Sequence, residues 1–203
     1  MLLDDTEIAE RIEWSVPKRY RSCRFSTFDV YTKTLIQKMA AIEKLIADRR
    51  GVFLFGAPGV GKTHLAVSAL AEYIRMGATY QFVGATDYVH TVQAAFGNPK
   101  EIVRELVGNN VVVIDDLGAE KGTEAARSSL FYLIDQLYGA GRRVIVTSNQ
   151  TPKELHTFEP RIMSRLSEMC GLVELVAEDF RIRAAGQRQK LIQPRSAASE
   201  TVN

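Results

Sequence analysis

The chain has 203 residues, enough to bury one substantial core, and its 46% hydrophobic and 25% charged residues are ordinary globular values. A formal net charge of +2 excludes a global basic field, so any nucleic-acid site must be local. The two cysteines, Cys23 and Cys170, stand far apart with no C-x-x-C, which disfavours a disulfide framework and a zinc site and suits a reducing, cytoplasmic setting.

The opening residues are acidic, without the basic and apolar regions of a signal peptide. No apolar run is long enough to span a membrane, so no membrane partner is expected. Residues 1–31 read as an approach segment. Thr6 to Trp14 fits one short helix, and Pro17 then interrupts. Lys18, Arg19, Arg21 and Arg24 crowd around Tyr20 and Phe25, a mixture found on nucleic-acid surfaces. The reading preferred here is a solvated strap whose aromatics pack on the domain. From Val30 to Arg49, apolar residues at Leu35, Ile36, Met39, Ile42, Leu45 and Ile46 have helical spacing.

Gly51 to Phe55 then reads as a short buried strand, followed by Gly56-Ala57-Pro58-Gly59-Val60-Gly61-Lys62-Thr63 and a helix from His64 to Ile74. The spacing G-x-x-x-x-G-K-[ST] between a strand and a helix is that of a nucleotide-binding P-loop. Its N–H groups can turn inward as a nest for phosphate, and the helix that follows points its positive end at the same place. Lys62 supplies a point charge for the β- and γ-phosphates, and the Thr63 hydroxyl can ligate Mg²⁺. The expected ATP-binding set is therefore Gly56 to Thr63, with His64 beside it at the helix start.

Thr79 to Val83 is a second strand. Asp87 to Phe96 and Lys100 to Val107 are two short helices separated by Gly97-Asn98-Pro99. Val111-Val112-Val113-Ile114 predicts a strand buried on both faces, as in parallel sheets, and it runs out into Asp115-Asp116. Two carboxylates belong at the strand's mouth rather than in a core. They have the form of a Walker B segment, with Asp115 in the Mg²⁺ shell and Asp116 orienting the attacking water.

A helix over Ala125 to Tyr138, a strand over Val144 to Thr147 ending in Ser148-Asn149, and short helices from Pro152 and over Arg161 to Met169 follow. The last strand is expected at Leu172 to Val176, and from Gln187 the sequence turns polar like a disordered tail. The alternation implies an α/β fold with a central parallel sheet of about five strands and helices on both faces. Ligands of such sheets bind at the carboxyl ends of the strands, where the P-loop, Asp115-Asp116 and Asn149 all lie.

In this order, GAPGVGKTHLA (56–66), VVVIDDLGAE (111–120), VTSN (146–149) and RIMSRL (161–166) resemble the AAA+ ATPases of the DnaC/DnaI helicase-loader group. IstB-type transposition helpers share much of the pattern, and the similarity runs from about Tyr20 to Arg183. The resemblance implies an AAA+ type P-loop NTPase core over residues 32–186, between the approach segment and a tail at 187–203. It implies Asn149 as a sensor 1 residue and Arg165 as an arginine finger acting in trans in an oligomer. Arg161, four residues earlier, is the alternative finger, and Arg181 matches a sensor 2 position. It also implies ATP with Mg²⁺, DNA (single-stranded favoured), and either a replicative helicase or a transposase as partners.

This sequence departs from the pattern in three places. Many relatives carry Asp-Glu where Asp115-Asp116 stands, so slow hydrolysis is expected. Only about 30 residues precede the core, so the separate helicase-gripping domain of DnaC-type loaders is not expected, nor is a full C-terminal lid domain. Three functions stay open: a helicase loader, a transposition helper on duplex DNA, and a nucleotide-gated scaffold without useful turnover.

Overall fold

The structure, a computed structural model, describes residues 3–95, 99–119, 123–180 and 182–183. The turn expected at Gly97-Asn98, Glu120 of the second motif, Arg181 and the tail from 187 lie outside the described residues.

Five parallel strands form the sheet: β1 (Gly51–Phe55), β2 (Tyr80–Gly84), β3 (Val111–Leu117), β4 (Arg143–Ser148) and β5 (Cys170–Glu174). Their order is β2-β3-β4-β1-β5, so the strand entering the P-loop lies beside β4, and β4 beside β3. Successive side chains on a strand point to opposite faces. Accordingly Val52, Leu54, Val111, Val113 and Ile145 pack into one core layer, whereas Phe53, Val112, Ile114, Val144 and Val146 pack into the other.

The first layer is covered by α1 (Asp5–Arg11), α2 (Lys33–Ala47) and α3 (Lys62–Arg75). The second is covered by α4 (Ala85–Ala94), α5 (Lys100–Val107), α6 (Glu124–Gly139), α7 (Pro152–Phe158) and α8 (Pro160–Met169). This is the three-layer α/β arrangement that the strand–helix alternation predicts. Among the described residues, no helix is long and apolar enough to cross a membrane.

Helix starts follow local chemistry. Thr32, Thr123 and Thr151 each accept a backbone N–H from the first turn of α2, α6 and α7. Each such cap is worth roughly 1 kcal/mol. Some boundaries differ from the sequence expectation. The first helix ends at Arg11, leaving Trp14 94% exposed beyond it. Ile36 shares the apolar spacing of α2 yet faces outward, while Leu35, Ile42 and Ile46 are buried. The last strand begins two residues earlier than its apolar run suggests. Pairing with β1 sets its limits, from Gly51 opposite Cys170 to Phe55 opposite Glu174, and Val176 is left exposed.

Residues 12–31 cross over the amino-terminal half of α3 as a strap with two short 3₁₀ turns, at Lys18–Tyr20 and Phe25–Thr27. Ile12 and Val16 are fully buried, and Tyr20, Phe25 and Tyr31 pack against the same core layer. Arg24 is buried as well. Its guanidinium donates to the Asp5 carboxylate at 3.0 Å and to the backbone carbonyls of Asp5, Arg21 and Cys23 at 2.7–3.0 Å. Arg21 donates to Val16 O and to Glu13. Two of the four basic residues in the stretch thus hold the strap in place.

Candidate functional site

Three neighbouring strands deliver the site. β1 opens into the P-loop, β3 carries Asp115-Asp116 just before its last residue, Leu117, and β4 ends in Thr147-Ser148, next to Asn149. Gly56, with φ +145°, passes so close to Leu175 that a Cβ would stand 2.3 Å from its carbonyl oxygen. Gly61 takes φ +92° immediately before α3, and a Cβ there would meet the Phe28 ring at 2.5 Å. Both conformations exclude ordinary side chains. Val60 points the other way, into the core, so only its backbone can serve the loop.

Lys62 is 7% exposed, and its ammonium arches back over the loop. It donates to Gly56 O and Ala57 O, both at 2.8 Å, and to Asn149 Oδ1 at 2.7 Å. Asn149 Nδ2 in turn donates to Asp116 Oδ1 at 2.7 Å. On the other side, Thr63 Oγ1 donates to Asp115 Oδ1 at 3.0 Å. One hydrogen-bonded chain therefore joins Lys62, Asn149 and Asp116, and a second joins Thr63 and Asp115.

Burial pushes the Asp115 carboxyl above its usual range. Hydrogen bonds from Thr147 and Thr63 oppose that shift, the Asp116 charge adds to it, and Lys62 opposes it. The anion is thus held against its desolvation by two hydroxyls and one ammonium.

Among the described residues, no group of three or more His, Cys, Asp or Glu side chains is placed to hold a metal. A P-loop cation does not need one, because it takes only one or two protein oxygens and fills its shell with water and phosphate. Thr63 Oγ1 and the Asp115 carboxylate are such oxygens, on one side of the cleft, and they fit Mg²⁺ by donor type.

The cleft is about 480 Å³. Pro58, Gly59, Gly61, Lys62, Thr63, His64, Asp115, Asp116 and Asn149 line it, so most of the residues singled out by sequence meet here. His64 leans toward the strap. Its Nε2 lies 3.0 Å from Arg24 O and 3.2 Å from Thr27 Oγ1. A carbonyl can only accept, so Nε2 carries the proton. Burial lowers the pKa of the ring, with the hydrogen bond to Arg24 O opposing.

The strap and the segment after β5 close the remaining walls with Tyr20, Thr27, Phe28 and Phe180; of these the sequence singles out Tyr20 alone, and as part of the strap rather than of the site. Phe28 packs on the His64 ring at 5.2 Å and on Phe180 at 5.3 Å. Phe180 N donates to Gly59 O at 3.0 Å, which ties the segment after β5 to the P-loop. No local motif marks these residues. Only the density of aromatics ahead of the P-loop hinted at a wall.

Arg161 and Arg165 do not reach this cleft. Both guanidinium groups stack on Phe131 of α6, at 4.3 and 4.7 Å from the ring centre. Arg165 Nε donates to Asp135 at 2.6 Å, and Arg161 pairs with Glu159 at 2.8 Å. Arg181 lies outside the described residues.

The comparisons with known proteins agree with this geometry. A family described as "IstB-like ATP binding protein" matches residues 15–188. The chromosomal replication initiator protein DnaA of Zymomonas mobilis is 28% identical over 141 residues, which are 67% of this chain and 29% of the relative. The chain spans less than a third of that relative's length. A crystal structure of the DnaC helicase loader superposes with a TM-score of 0.69 at 25% identity, covering 79% of this chain and all of the other. A replication initiator DnaA bound to AMPPCP and single-stranded DNA shares the fold, with a TM-score of 0.63 at 22% identity over 86% of this chain and 56% of the other.

Proposed function

The chain belongs to the IstB-like ATP-binding protein family, with the AAA+ fold of the DnaC, DnaI and DnaA replication proteins, and from that premise we propose that it is a slow ATPase that loads a replicative helicase. The observation that carries the reading is the pair of hydrogen-bonded chains across the cleft, Lys62–Asn149–Asp116 and Thr63–Asp115. Lys62 and the loop N–H groups bind the phosphates. Thr63 and Asp115 would hold Mg²⁺, which would supply charge neutralisation at the phosphates. Asp116, kept in place by Asn149, orients the attacking water.

ATP then acts as an assembly switch and hydrolysis resets it. In the assembled state Arg165 faces a neighbouring subunit's nucleotide. The similarity to a DnaA structure holding single-stranded DNA supports single-stranded DNA as the track. The test is ATP turnover with and without single-stranded DNA and a replicative helicase. A rate raised by both supports the loader; no turnover under any of these conditions leaves a nucleotide-gated scaffold.

The family match favours a second reading, a transposition helper that assembles on duplex DNA and stimulates a transposase. The two readings differ in their DNA. ATP-dependent binding stronger for duplex than for single strands favours the helper.

A further inference from the structure

Thr147 stands at the end of β4 and is 1% exposed. Its hydroxyl is shared between the two acidic residues of the neighbouring strand. Oγ1 donates to Asp115 Oδ1 at 2.6 Å and accepts the Asp116 backbone N–H at 2.8 Å. A hydroxyl has one proton and two lone pairs, so it meets both demands at once. The roles are not exchangeable, because an amide N–H only donates and a carboxylate only accepts.

These bonds lie at the one irregularity of the β3–β4 pairing. Partners run in step from Val111 to Ile114, and pairing resumes only at Leu117 opposite Ser148. Within the gap Asp116 takes φ +58°, a left-handed conformation. Such a backbone is disfavoured for a non-glycine residue, so it persists where its surroundings hold it. The Thr147 side chain supplies a bond to the displaced amide. At Asp115 it shares Oδ1 with the Thr63 hydroxyl of the P-loop, so two hydroxyls hold one carboxylate oxygen.

We propose that Thr147 is a positioning residue that sets both carboxylates at once, Asp115 through its oxygen and Asp116 through its backbone. The inference deepens the ATPase reading above and rests on it for its effect on turnover. Valine has nearly the shape of threonine but offers neither bond, so Thr147→Val separates the hydroxyl from its packing. Serine keeps the hydroxyl and loses a methyl, which makes Thr147→Ser the complementary variant.

The full chain is titrated with ATP, with and without Mg²⁺, and turnover is measured alongside. Thr147→Val is expected to keep the cation-free affinity, to lose most of the gain that Mg²⁺ adds, and to lower kcat by about 10–100-fold, the range found when partners of metal ligands are removed. Thr147→Ser is expected to restore both quantities, even where its lost methyl lowers the melting temperature. A merely structural role moves them the other way: Thr147→Ser is then the worse variant, and folded Thr147→Val keeps its Mg²⁺ response and kcat.

Hydrogen exchange at the Asp116 amide provides a readout without nucleotide. Faster exchange is expected in Thr147→Val, and unchanged protection overturns the proposal. Should the wild type bind ATP yet not hydrolyse it, the ATPase reading fails, while the Mg²⁺ response and the amide still decide the role of Thr147.

Discussion

At the scale of single residues, the proposed reading assigns binding and turnover to different side chains of the cleft. Lys62 is buried and already surrounded by three oxygen acceptors. On the proposed reading it serves phosphate from that position, and Lys62→Ala costs roughly 2–5 kcal/mol of ATP affinity, by analogy with truncated buried ion pairs. Isothermal titration measures it; wild-type affinity sinks the assignment. The two aspartates divide differently. Asp115 touches the Thr63 hydroxyl, whereas Asp116 touches Asn149. Asp115→Asn is therefore expected to weaken Mg²⁺-dependent binding. Asp116→Asn is expected to bind ATP normally and lose most turnover, because only an interaction made in the transition state is removed. Undiminished turnover in both variants refutes the pair of roles.

At the scale of elements, the strap and the start of α3 are joined by one titratable group. His64 bonds Arg24 O while its ring packs edge-on to Phe28. Its pKa in the fold is lowered from 6.5, chiefly by burial, so the unfolded chain binds the proton more readily. The sign follows from linkage: this contribution is fully present above pH 6.5 and is lost as pH falls through the lowered value. Urea midpoints are expected to drop between neutral pH and pH 5.5, and His64→Gln is expected to flatten that slope. An identical slope in the variant removes His64 as the cause.

The same core layers shelter both thiols. Burial pushes Cys23 up to about 11 and Cys170 further still, the neighbouring arginines opposing. A thiol reagent at pH 8 should find neither in the native protein and both after unfolding. Rapid labelling of Cys23 in the native state shows that the strap opens.

At the scale of the whole molecule, the two candidate finger arginines lie on the α6–α8 face, outside the cleft that holds the P-loop. Arg165 rests on Asp135 and Phe131, away from the P-loop cleft of its own chain. The proposed trans arrangement is tested by mixing. Lys62→Ala keeps its finger and Arg165→Ala keeps its site; each alone should be inactive, and together they should recover part of the turnover. Fingers are worth about 10³–10⁵ in rate among GTPases, so the recovery is readily measured. No recovery in mixed oligomers verified by light scattering ends the trans assignment, and Arg161→Ala in parallel identifies which arginine acts. DNA binding belongs to the same scale. Affinity for a labelled oligonucleotide should fall steeply with salt, because phosphate contacts release counterions. A flat response argues against a phosphate-tracking site.

The P-loop, the paired carboxylates and the parallel three-layer sheet were legible in the sequence because each rests on local rules. Glycine spacing, a four-residue apolar run and strand–helix alternation act over a few neighbouring residues. Tertiary structure decided the rest. Thr147 reads as an ordinary strand residue until the β3–β4 irregularity brings the Asp116 amide to its hydroxyl. Phe28 and Phe180 stand on opposite sides of the P-loop in the chain, and only packing sets their rings 5.3 Å apart over it. Arg24 looked like part of a basic surface until Asp5 and three backbone carbonyls took its guanidinium inside. Such contacts depend on residues distant in sequence meeting in three dimensions, and no local pattern encodes them.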